Sequence, residues 1–146
     1  MGFVTSDSLR ILLFIGGILH FGILIASALT PNVLDWRSEL RKLDRLSQQL
    51  VWVHGAFIVL VIIGFGLISV AGASELSGGS LLARLVCGFI AAFWAARLVV
   101  QFFVFDASSH LTNIWLRVGY HGLTITFVYL TVVYGIAALA PISAAS

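Results

Sequence analysis

Residues 50–71 read LVWVHGAFIVLVIIGFGLISVA, a run with no Asp, Glu, Lys or Arg. Coiled as an α-helix at about 1.5 Å per residue, it is long enough to cross the roughly 30 Å hydrocarbon core of a bilayer. Three further stretches have the same character, so the predicted spans are 11–29, 50–71, 81–105 and 114–140. Lipid offers no partner for a backbone amide, which leaves helices or a closed barrel as the only spanning structures. No segment alternates polar and apolar residues over ten positions, and this excludes the barrel. The chain of 146 residues is therefore expected to be one all-α domain: a polytopic integral membrane four-helix bundle, threaded up-down-up-down.

Composition agrees with that reading. Hydrophobic residues make up 60% of the chain and charged residues 10%, against about a quarter charged in ordinary soluble domains. Mean hydropathy is +1.09. A net charge of +2 is too small and too dispersed to indicate nucleic acid. The single cysteine, Cys87, allows neither an internal disulfide nor a cysteine-cluster metal site.

Orientation follows from the basic residues. Arg37, Arg41, Lys42 and Arg45 lie between spans one and two, and Arg117 lies at the connection between spans three and four, whereas the opposite side carries Arg10 and Arg84. Positive residues favour the cytoplasm. Both termini are thus expected on the outer, periplasmic side of what reads as a bacterial inner membrane. A secretion signal ending at Ala26-Ser27-Ala28 is the competing reading of span one, but the strongly basic segment follows that span rather than preceding it. Between spans one and two, Leu40, Leu43, Leu46 and Leu50 recur at helical spacing among charges. This predicts an amphipathic interfacial helix over about 32–48. Residues 72–80, GASELSGGS, are expected to form a flexible turn.

Polar residues inside the spans carry the functional expectation. A histidine followed by glycine occurs at His54-Gly55 and again at His121-Gly122. By helical rise His54 lies about 7 Å beyond Gln49 and His121 about 6 Å beyond Arg117, so the two share one depth. Gln101 and Arg97 stand about 7 and 13 Å from Asp106, and His20 is deeper, about 15 Å from Thr30. An arginine near a helix centre costs on the order of 2.5–3.5 kcal/mol on insertion scales and ordinarily faces the bundle interior.

Two level histidines on different helices suit the axial ligands of haem b, with His54 and His121 on the iron and Arg97 on a propionate. A quinone uses the same groups differently, taking hydrogen bonds from histidine or from Gln101. The sequence thus points to a membrane redox or cofactor-binding module built on His54, His121, Arg97, Gln101 and His20. The alternative is a non-catalytic accessory subunit whose polar residues bond helices of a larger membrane complex or of a second copy. A proton or small-solute transporter is a further alternative, although no span is broken by proline. The usual motifs of soluble enzymes are absent: there is no HExxH, no Cys-x-x-Cys and no paired carboxylates.

Overall fold

The computed structural model describes residues 5–33, 36–103 and 114–140. The described residues are helical and without strands: α1 (Ser6–Val33), α2 (Trp36–Leu40), α3 (Arg45–Ala71), α4 (Ala73–Ser77), α5 (Leu81–Phe103) and α6 (Ile114–Leu139). Helices α1, α3, α5 and α6 are each long and apolar enough to cross a membrane. The chain is accordingly a membrane protein with a four-helix bundle.

The boundaries differ from the sequence expectation in three places. Helix α1 begins at Ser6 and continues through Pro31 to Val33. Between it and α3 there is no single helix over 32–48, because α2 spans only Trp36–Leu40 and a turn follows at residues 41–43. The reason lies at Asp44, whose carboxylate accepts hydrogen bonds from the backbone amides of Leu46 and Ser47, each at 3.1 Å, and from the Ser47 hydroxyl. That is an N-cap, and it starts α3 afresh. The segment 72–80 is not wholly a turn either. Residues Ala73–Ser77 form α4, which buries Ala73 and Leu76 against the bundle, and Gly79 takes the positive φ of 71° that lets the chain enter α5.

Packing proceeds in pairs. Helix α1 lies along α3, α5 lies along α6, and α1 joins the pairs by contacting α6. Glycines set the first of these contacts. A Cβ on Gly17 would sit 2.7 Å from Val70 Cγ2 and 2.9 Å from the Val70 backbone nitrogen, and one on Gly66 would sit 2.9 Å from the Phe21 ring. Small residues let membrane helices approach this closely, since dispersion rather than the hydrophobic effect drives their association. In the second pair, Arg84 donates from Nε to the Ala138 carbonyl at 2.8 Å, satisfying an acceptor in the last turn of α6.

The core fills one part of the bundle and stops. Along α3 the inward stripe runs Val51, Gly55, Ile58, Ile62, Phe65 and Ser69 at spacings of three and four. Ile62, Phe65 and Ser69 are buried, whereas every residue from Gln49 to Val61 is exposed. Helices α5 and α6 stay joined further along, down to buried Gln101. The bundle is therefore closed around its middle and its α4 end, and opens between α3 and the α5–α6 pair.

Two predictions follow the packing. Gly17→Ala should lower the thermal midpoint in detergent by the equivalent of about 1–3 kcal/mol of overpacking, whereas Gly22→Ala, whose Cβ would meet nothing within 4 Å, should leave it unchanged. Hydrogen bonds from Ser47 hold the Asp44 carboxyl below its ordinary range. Its capping contribution is thus complete at neutral pH and lost as pH falls through that lowered value. Protection factors of the Leu46 and Ser47 amides, taken against the intrinsic exchange rate at the same pH, should fall on acidification, and Asp44→Ala should produce the same loss of protection at neutral pH.

Candidate functional site

Histidine 20 sits at the centre of the molecule with 0% exposure. Its ring meets Phe65 of α3 edge-on at 5.9 Å, Trp94 of α5 at 5.5 Å and Tyr134 of α6 at 5.8 Å. One imidazole on α1 thus touches each of the other three long helices. Its hydrogen bonds fix its chemistry. Nδ1 lies 2.7 Å from the Gly16 carbonyl oxygen, which only accepts, so Nδ1 carries the proton. Nε2 lies 3.0 Å from Trp94 Nε1, whose indole N–H only donates, so Nε2 is the bare nitrogen. Both nitrogens are used, so no lone pair is left for iron and no N–H for the carbonyl of a ligand. In place of the deep cofactor contact expected from the sequence, the structure gives His20 a complete set of internal partners.

Tyr134 and Ser69 extend this cluster. Tyr134, fully buried, donates its hydroxyl proton to Ser69 Oγ, and its ring lies 3.1 Å from where a Cβ of Gly16 would be. Tyr129 donates to the Leu12 carbonyl at 3.0 Å. Every buried side-chain nitrogen and oxygen among the described residues has a partner. The sequence reading missed this network. Its one visible signal was that Gly16 and His20 are four apart, a spacing that permits an imidazole to reach back to its own helix.

The remaining predicted residues lie beyond the closed core. Gln101 is 5% exposed and donates its amide nitrogen to Thr124 Oγ1, which in turn donates to the Tyr120 carbonyl at 2.8 Å. Gln101 therefore fastens α5 to α6. Arg97 follows Trp94 by three residues on the inward side of α5 and is nevertheless exposed, with its guanidinium 5.6 Å from the centre of the Phe127 ring. Phe127 itself stacks on Trp94 at 4.9 Å. Asp106 and His110 lie outside the described residues.

His54 and His121 are both exposed and, among the described residues, neither imidazole has a hydrogen-bond partner. Among the described residues no hydrogen bond or ring contact joins them. His54 precedes Phe65 by eleven residues, close to three whole turns, so it shares the side of α3 on which Phe65 meets Phe89 and Phe93 of α5. It faces the opening. His121 precedes Phe127 by six residues, which rotates it by about 120° from the face that meets Trp94, and its ring contact is with neighbouring Tyr120. Helices α3 and α6 meet at Ser69 and Tyr134, about 20 Å along each helix from these histidines. Among the described residues no group of three or more His, Cys, Asp or Glu is placed to hold a metal ion.

The opening has a definite chemical character. On α3 the exposed residues here include His54, Gly55 and Ile58, and α5 carries exposed Arg97 one turn before Gln101, which bonds Thr124. Apolar walls with a few polar groups are the usual make-up of a small-molecule site. No family model matches the sequence, and no curated protein and no solved structure matches it.

The closed cluster and the opening predict opposite mutational behaviour. Trp94→Phe removes the donor from His20 Nε2 and should destabilise the protein by about 1–3 kcal/mol, the cost of a buried acceptor left unpaired. His54→Ala and His121→Ala should each stay within about 0.5 kcal/mol, as for exposed positions. Unfolding in mixed detergent micelles, followed by near-UV circular dichroism, measures all three.

Proposed function

We propose that this protein is a membrane cofactor-binding module whose opening between α3 and α5 holds a lipid-soluble quinone. In this reading the four long helices cross the bilayer up-down-up-down, with both termini on the periplasmic side of a bacterial inner membrane and α2 lying at the cytoplasmic interface. The opening then faces the cytoplasmic leaflet, where an isoprenoid tail can enter sideways from lipid.

The observation that supports the reading is the exposure of Arg97, three residues after buried Trp94 on α5, together with the exposure of α3 from Gln49 to Val61, which includes His54. Arg97 lies about 6 Å along α5 from Phe93, and His54 about 16 Å along α3 from Phe65, the two rings that meet each other. Donors at two depths match a ring with carbonyls on opposite edges. Guanidinium and imidazole N–H groups donate to those carbonyl oxygens, and Val51, Gly55 and Ile58 border the ring and the start of its tail. Iron ligation by His54 and His121 forms no part of the proposal.

A second reading has its own support. Gly119 and Gly122 would meet nothing within 4 Å if they carried a Cβ, and His121 stands between them on exposed surface. An imidazole beside a smooth helix face suits a contact with a helix of another membrane subunit. The two readings use different histidines, so both are testable in one set of variants.

Titration of purified protein with a short-chain ubiquinone analogue, followed by tryptophan fluorescence, should saturate near one molecule per chain. His54→Ala and Arg97→Gln should each weaken binding at least tenfold, about 1.4 kcal/mol, and His121→Ala should leave it unchanged. Linear, unsaturable quenching that is identical in all variants would refute the proposal. A Soret band in the purified protein that disappears in His54→Ala would replace quinone with haem.

A further inference from the structure

At the other end of the bundle, a groove of about 370 Å³ opens to the surface between α1 and the junction of α3 with α4. It takes no part in the quinone reading. Its lining is ordered along the chain. Ile11 and Phe14 on α1 and Val70 and Ala71 on α3 form the part toward the middle of the bundle, and Arg10 and Ser74 line the part toward its end. The groove is thus polar where the helices terminate and apolar further in.

Arg10 makes no ion pair among the described residues, although Asp7 lies three residues before it and Glu75 lies next to Ser74. Phe14 is 43% and Ile11 57% exposed, so the apolar part of the groove is equally uncovered. A cation at the membrane boundary with an uncovered apolar trough beside it is complementary to one kind of molecule: an amphiphile with a negative head and a hydrocarbon tail. We propose that the groove binds an anionic phospholipid, its phosphate on Arg10 with Ser74 donating a hydroxyl hydrogen bond, and its first acyl carbons over Phe14 and Val70. The chemistry at Arg10 is that of any phosphate. What singles out a lipid is the apolar trough, about 6 Å deeper at Phe14 by helical rise.

Native mass spectrometry of the full chain, released from micelles containing equal phosphatidylglycerol and phosphatidylcholine, tests this directly. Wild type should retain one phosphatidylglycerol in at least tenfold excess over phosphatidylcholine. Arg10→Gln should lose that preference, Arg10→Lys should keep it, and Arg41→Gln, which removes a cation from the segment before α3, should also keep it. The Lys variant distinguishes loss of charge from loss of fold. Equal retention of the two lipids by wild type, or an undiminished preference in Arg10→Gln, would overturn the proposal. So would protection against thermal unfolding by inorganic phosphate as strong as that by phosphatidylglycerol, since the acyl chain would then contribute nothing.

Discussion

The hydrogen bond from Trp94 to His20 is the constraint on which the bundle turns. In a bilayer the hydrophobic effect does not press helices together, because lipid tails are as apolar as leucine. Close packing and internal polar contacts must do so instead. His20 combines both, with its two nitrogens satisfied by Gly16 and Trp94 and its ring faced by Phe65, Trp94 and Tyr134. Gly16, Gly17 and Gly66 make the approach possible, and Tyr134–Ser69 adds a second buried bond next to it. Removing the imidazole would leave three aromatic side chains and one indole N–H without the group they surround.

A clamp of this kind leaves the rest of the helices free to diverge. Among the described residues nothing comparable holds α3 to α5 or α6 beyond Ile62, whereas Gln101–Thr124 keeps α5 and α6 together. The consequence is an asymmetric molecule: a dry, fully bonded core at one level and an opening with Arg97 and His54 at another. Rigid aromatic packing on one side of Phe127 and a guanidinium near its ring mark the boundary between them. Function is proposed where polar groups remain exposed, and stability is assigned to where they are spent.

Much of the architecture was legible in the sequence, because an uncharged run of some twenty residues has few alternatives in chemistry or length. The helix ends were less so. Helix α1 starts at Ser6, before its apolar run, because the helix outlasts the hydrophobic stretch that reveals it, and α4 was hidden in a Gly- and Ser-rich segment where Leu76 alone signals burial. Helical rise placed His54 and His121 at one depth, but depth along a helix says nothing of which neighbour a face meets. That information resides in contacts such as His20–Trp94, 74 residues apart, for which one sequence carries no local signal. His20, expected as a deep cofactor contact, has internal partners for both nitrogens, and Arg97, singled out for its cost, is exposed on α5.

The central claim is that the bundle is clamped at His20 and open toward His54. Pulsed electron–electron double resonance in nanodiscs measures this on a Cys87→Ala background, with one pair of spin labels at Gln49 and Arg117 and a second at Leu67 and Ile136. A narrow, short distance distribution for the second pair and a longer, broader one for the first is the predicted result. Equally short and narrow distributions for both pairs would show a bundle closed along its whole length and would contradict the account.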